Sequence, residues 1–211
     1  MRLRIIIARV APRTVARSFL LAVAMVCLGL YSYDYIGRTL YQTSESREFD
    51  RMLAVTAAGS TPAVMPLKRP APSAVIGRLS VPRLHLSAMV REGVGPKTLK
   101  LAIGHVPTTA LPGQTGNIAV AGHRDTFFRG LKDVKTGDEI QFSTLNGDFQ
   151  YVVDSVTIVT PDNAGSLAPT SENVLTIVTC YPFYFVGDAP NRFVVRARQL
   201  FPLTLAGVSV K

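Results

Sequence analysis

Thr176-Ile-Val-Thr-Cys180 is a run of β-branched residues that ends in a cysteine and meets the turn signal Tyr181-Pro182 at once. A run of this kind reads as a strand, rigidly held by its neighbours, whose last side chain can face a cleft. Downstream, beyond Gly187-Asp-Ala-Pro190, residues 192–198 read as a second strand, and a hairpin connection would set it beside the first. Upstream, Asn117-Ile-Ala-Val-Ala-Gly122 reads as a third and runs directly into His123.

The same texture holds from Ala74 onward. Further strands are expected at 76–81, 86–91, 139–144 and 148–159, separated by turn signals such as Gly93-Val-Gly-Pro96 and Leu145-Asn-Gly-Asp148. Helical stretches are few and short, at 96–103 and 126–134. Many short strands without a βαβ rhythm point to an all-β domain, a closed or nearly closed antiparallel barrel. Residues 200–210 are apolar, but Pro202 and Gly207 make them too short and broken for a membrane span.

The front of the chain is different in kind. Residues 1–17 carry five arginines and no acid, and Phe19 to Leu30 is unbroken apolar sequence that continues through Tyr33. The 16 residues from Ser18 to Tyr33 fall a little short of the about 20 that span a hydrocarbon core, but Tyr31, Tyr33 and Tyr35 suit an interfacial belt. No A-x-A-like cleavage pattern follows, which favours a single uncleaved signal anchor over a removed signal peptide. The arginines place the N-terminus in the cytoplasm, so the remainder is expected on the extracytoplasmic side of the cytoplasmic membrane. The expected division is a basic cytoplasmic segment at 1–17, a transmembrane anchor at 18–35, an Ala/Pro-rich tether at 36–73 and a catalytic barrel domain at 74–211. Prolines 62, 66, 70 and 72 favour an extended tether, whose first part briefly prolongs the membrane helix.

Charge follows that division. With 23 basic and 14 acidic residues the chain carries +9, of which the first 17 residues supply five units, leaving +4 for the rest. The basicity is mainly a topology signal. No basic stretch interleaved with aromatics is present, so nucleic acid is not an expected partner.

Cys27 lies in the apolar segment and reads as a small membrane-helix residue, which leaves Cys180 as an unpaired thiol in an exported domain. A thiol of ordinary pKa, about 8.5, is little ionised near neutrality, so a cysteine nucleophile needs a base or cationic partner. His123 could supply it. Acyl transfer also builds negative charge on the attacked oxygen, which a permanently charged guanidinium can stabilise. Arg192 and Arg196 fall on the same face of their strand and compete for that role; proximity to the turn favours Arg192.

Together these residues resemble the sortases, membrane-anchored cysteine transpeptidases of the bacterial surface. The sortase signature Thr-Leu-x-Thr-Cys, a histidine upstream and an arginine on the next strand are matched by Thr176-Ile-Val-Thr-Cys180, Gly122-His-Arg-Asp125 and Asn191-Arg-Phe193. Ile177 replaces the usual leucine. The segments from Gly116 to Phe128 and from Val178 to Phe183 look most like class D. The resemblance, over roughly residues 74–199, implies a closed eight-stranded sortase-type barrel with short helices.

It also implies a reaction: Cys180 attacks an LPxT-type sorting signal after its threonine, forms a thioester, and an amine on a wall or surface component displaces the enzyme. In that mapping His123 is the general acid and base and Arg192 holds substrate and stabilises the oxyanion, in keeping with the bottom-up reading. The implied partners are a sorting-signal-bearing surface protein, the amine acceptor and the membrane. Thr179 adjoins the nucleophile and is a candidate substrate contact, through backbone or hydroxyl, or simply a strand former. Asp125 could orient the imidazole but suits a loop or capping role better.

Neither cofactor nor metal is expected, because His85, His105 and His123 show no close ligand spacing or acidic cluster. Leu111-Pro-Gly-Gln-Thr-Gly116 resembles a sorting signal but has two residues between Pro112 and Thr115, and reads as a turn. The turn-rich segment 161–173 can border a binding groove. A predominantly hydrolytic cysteine peptidase and a noncatalytic, membrane-tethered binding barrel remain the alternatives.

Overall fold

The computed structural model describes residues 12–58 and 69–200, so part of the expected tether lies outside the described residues. The helix α1 (Pro12–Ala58) is followed by eight strands: β1 (Val75–Val81), β2 (Leu86–Glu92), β3 (Ile103–His105), β4 (Asn117–Ala121), β5 (Glu139–Thr144), β6 (Gly147–Val159), β7 (Val174–Tyr181) and β8 (Asn191–Gln199). A short helix, α2 (Pro96–Leu101), links β2 to β3. The chain divides into two compact units, one up to Leu40 and the other from Tyr41 onward.

In the first unit α1 turns large apolar side chains outward: Phe19, Leu20, Met25 and Leu28 are all exposed. This is one helix long and apolar enough to cross a membrane.

In the second unit the strands close into a barrel in the order β1-β2-β3-β4-β7-β8-β6-β5. Period-two alternation puts Leu79, Val120, Phe142, Ile177 and Val195 inside, where all are almost fully buried, and sends the intervening residues outward. The barrel is mixed rather than antiparallel as expected, because β2–β3 and β4–β7 are parallel pairs. Parallel neighbours need crossover connections, and α2 lies in the first. The strand β3 was not anticipated: three residues, Ile103-Gly-His105, are too few to show a period. Its Gly104 allows a close backbone approach, since a Cβ there would lie 2.5 Å from the carbonyl oxygen of Gly93. Of the short helices expected, 96–103 is α2, and 126–134 shrinks to a 3-10 turn at Arg129–Asp133.

The expected extended tether is corrected between 36 and 58, where α1 remains helical. From Tyr41 that helix packs on the barrel. The Gln42 amide donates to Leu101 O at 2.7 Å and accepts from Met89 N at 2.9 Å. Leu101 and Met89 sit just before the β2–β3 ladder begins at Val90–Ile103, so Gln42 satisfies backbone groups the ladder leaves unpaired. Phe49 is buried beneath the Arg78 guanidinium, which also donates to Ser46 and Asp50. A cavity of about 310 Å³ remains between this helix and β2.

Candidate active site

The site is built on the parallel β4–β7 ladder and the antiparallel β7–β8 ladder. The first runs in register from Asn117–Val174 to Ala121–Val178. One residue further, Gly122 donates its N–H to Val178 O at 3.2 Å and accepts from the Thr179 hydroxyl at 2.8 Å. His123 therefore leaves one residue beyond a junction that ends one residue before Cys180. Gly122 has no alternative at that junction, because a Cβ would approach the Phe128 ring to 2.7 Å.

On the other side Cys180 lies directly opposite Arg192 in the β7–β8 register. Arg196 pairs with Thr176, four residues back, or about 13 Å along the strand at ~3.3 Å per residue. Of the two competing arginines, Arg192 is thus the one beside the cysteine. Leu175, Ile177 and Thr179 alternate inward, so Cys180 faces out of the barrel, where it is half-buried.

His123 is exposed and makes no side-chain hydrogen bond among the described residues. The Arg192 Nη1 donates to Ala189 O and Asn191 O at 3.1 and 3.0 Å, leaving its Nε and Nη2 without a protein partner among the described residues. Three side chains with unused donor or acceptor capacity thus surround one end of β7. That combination can deprotonate a thiol, place it against a carbonyl and stabilise the resulting oxyanion.

Thr179 is only 3% exposed, and its hydroxyl donates to Gly122 O, which ties β7 to the His123 loop. Asp125 is exposed, and no hydrogen bond joins it to His123.

A second network, missed in the sequence, holds the connection between β6 and β7 over the other end of the ladder. The buried Thr176 hydroxyl donates to Asn117 Oδ1 at 2.7 Å, and Asn117 Nδ2 donates to Ser166 O and Ala168 O, both at 3.1 Å. An amide at a strand start was the available signal. Arg124 was also passed over: its Nη2 donates to Phe185 O at 2.7 Å and Gly187 O at 3.0 Å.

The other histidines lie apart from this site. His105 is buried against Glu92 beside a cavity of about 80 Å³, and His85 ends a 3-10 turn in the left-handed conformation. Neither this cavity nor the one under α1 includes Cys180, His123 or Arg192.

The model of the Sortase domain family matches residues 79–200, more than half of the chain. The chain belongs to the sortase family. Sortase D of Bacillus subtilis (strain 168) is 30% identical over 125 residues, covering 59% of this sortase and 63% of the relative. Sortase A of Bacillus anthracis is 30% identical over 125 residues, covering 57% and 58% respectively. This sortase therefore spans about three-fifths of the length of the curated relatives it matches.

Among solved structures, a Clostridium perfringens Sortase D5 transpeptidase superposes with a TM-score of 0.60 over 78% of this chain and 98% of its own, at 24% identity. The SrtA sortase from Actinomyces oris gives a TM-score of 0.57 at 28% identity, covering 65% of this chain and 87% of its own. The expected eight-stranded sortase barrel is the fold observed, and a sortase D stands among the relatives at 30% identity.

Proposed function

We propose that this sortase is a membrane-anchored cysteine transpeptidase that cleaves an LPxT-type sorting signal after its threonine and passes the acyl group to an amine on the cell surface. The observation that carries the reading is the register: Cys180 stands opposite Arg192, and His123 emerges one residue past the backbone junction that precedes the cysteine. The two relatives named sortase D and Sortase D5 transpeptidase support the same class of chemistry.

In the first step the Cys180 thiol gives its proton to His123 as Sγ forms a bond to the threonyl carbonyl carbon, and the electron pair of the C=O moves onto oxygen beside the Arg192 guanidinium. Collapse of that tetrahedral species expels the amine of the next residue, which takes a proton from His123, and leaves a thioester. In the second step an acceptor amine attacks the thioester and gives a proton to His123. Its N–C bond replaces the S–C bond, and the thiol is restored. Thr179 acts here by holding the His123 loop to β7.

The exposed apolar stretch of α1 and the five arginines before residue 18 support a single-pass anchor with a cytoplasmic N-terminus and the barrel outside. Protease added to intact spheroplasts should then digest the barrel. Survival of the barrel there would reverse the orientation.

The decisive experiment is incubation with a sorting-signal peptide followed by mass analysis. The expected result is an acyl adduct on Cys180 that is absent in Cys180→Ala, and a peptide–amine product once an amine is added. Hydrolysed peptide alone at every amine concentration would make the enzyme a peptidase. No adduct and no turnover with any sorting peptide, together with unimpaired peptide binding by Cys180→Ala, would make it a binding module.

A further inference from the structure

We infer that Arg124 is a positioning residue, clamping the loop that carries His123 to the loop that joins Cys180 to Arg192. The inference rests on the reading of those three residues as the catalytic group.

The connection between β7 and β8, residues 182–190, leaves directly from the nucleophile's strand and returns at Arg192. Phe183 packs at its start against Tyr181 and Phe193, but beyond it Tyr184 is 74% exposed and Val186 95%. Its one internal backbone bond is a turn from Phe185 N to Pro182 O at 3.3 Å. Two arginines hold three more of its carbonyls. Arg192 reaches Ala189 O from the base of the hairpin, and Arg124 reaches Phe185 O and Gly187 O from the opposite side. Because Arg124 follows His123 in sequence, the second tie fixes the histidine's loop against the hairpin that carries its two partners.

The form of the contact favours a positioning role. No carboxylate pairs with Arg124 among the described residues, and its Nη1 is buried without a hydrogen-bond partner. A buried donor left unsatisfied is destabilising. An arrangement selected for stability alone has no use for that cost, whereas a guanidinium nitrogen that bridges two carbonyls of a largely exposed turn gives rigidity an apolar residue cannot. Misplacement of a catalytic group by about 1 Å can lower a rate about 100-fold.

Two variants, Arg124→Met and Arg124→Lys, should be compared with the wild type in two assays. In single-turnover acylation at saturating sorting peptide, Arg124→Met should lower the rate about 10- to 100-fold while KM changes less than about threefold, and Arg124→Lys should recover part of the loss. In limited chymotrypsin digestion, cleavage after the exposed Tyr184 and Phe185 should quicken in Arg124→Met and less so in Arg124→Lys.

An Arg124→Met protein that acylates at the wild-type rate overturns the inference. So does a loss of rate that tracks a fall in unfolding temperature and is not relieved by lysine, which marks a merely structural residue. If the wild type forms no acyl-enzyme, the proposed function fails instead, and unchanged digestion in Arg124→Met would independently remove the clamp.

Discussion

His105 ends β3 opposite Val120 of β4, and His123 lies three residues past Val120, just beyond the end of β4, so the two histidines sit along one ladder in contrasting surroundings. At His105 everything is satisfied. It is 1% exposed, its Nε2 donates to Ala110 O at 2.9 Å, and one proton lies between its Nδ1 and Glu92 Oε2, 2.7 Å apart. His123 is exposed and uncommitted among the described residues, at the end of β4 whose neighbour β7 carries a half-buried thiol opposite a guanidinium with donors to spare. A buried histidine whose two nitrogens are both held by the fold has none to offer a substrate. The difference between the two histidines is one of hydrogen-bond saturation, which residue type alone does not show.

The largest effects should come from breaking each histidine in turn. His123→Ala should lower acylation of a sorting peptide by about 100- to 10,000-fold, the range for loss of a general acid and base, with an unfolding temperature close to that of the wild type. His105→Ala should do the reverse. It strands the Glu92 carboxylate at 4% exposure, and breaking a buried pair costs about 3–5 kcal/mol, a fall in melting temperature on the order of 10 °C. Per folded molecule its acylation rate should be near that of the wild type. Thermal melts beside active-site titration separate the two outcomes, and a stability loss in His123→Ala as large as that in His105→Ala would erase the contrast.

Sequence alone exposes His123 better than His105. Cys180, His123 and Arg192 are visible because each terminates or begins a β-patterned run beside a turn signal, and together they resemble one signature. His105 sits on a three-residue strand containing Gly104, where no period can be seen, and its partner Glu92 is distant in sequence. The docked half of α1 was hidden for another reason. Its stability comes from Gln42 completing the β2–β3 ladder and Phe49 inserting under Arg78, both long-range contacts that no local pattern records. A proline- and glycine-free stretch from Arg38 to Ala58 with Tyr41, Phe49 and Met52 at helical spacing was the available clue. Thr179 neighbours the nucleophile, and alternation turns its hydroxyl inward to Gly122, a tie that adjacency alone does not show.

Thr179 joins the two kinds of region, being committed itself while holding uncommitted neighbours. Thr179→Val keeps the shape and removes one donor, so the expected destabilisation is about 1 kcal/mol from the unpaired Gly122 carbonyl. Acylation should fall about tenfold or less, because the Gly122 N–H bond to Val178 still fixes the junction. A loss as large as that of His123→Ala would mean that the hydroxyl acts on the substrate after all.

The smallest effect belongs to a committed group near the surface, where solvent weakens the contrast. Asp138 is itself 7% exposed and accepts from the partly exposed Arg83 and from Lys135 N at 2.8 Å. The Arg83 hydrogen bonds, with help from the Lys135 N–H and neighbouring cations, hold its carboxyl below the usual carboxylate range against the opposing effect of burial. A depressed folded pKa adds stability that is fully present above the unfolded value of about 3.9 and is lost as pH falls through the folded value. The melting-temperature gap between wild type and Asp138→Asn should therefore be constant from about pH 5 to 8 and close below about pH 4. A gap that stays unchanged into strong acid would show that the contact acts through shape and not through charge. Asp138 would then resemble the interior pair of His105 less than its burial suggests.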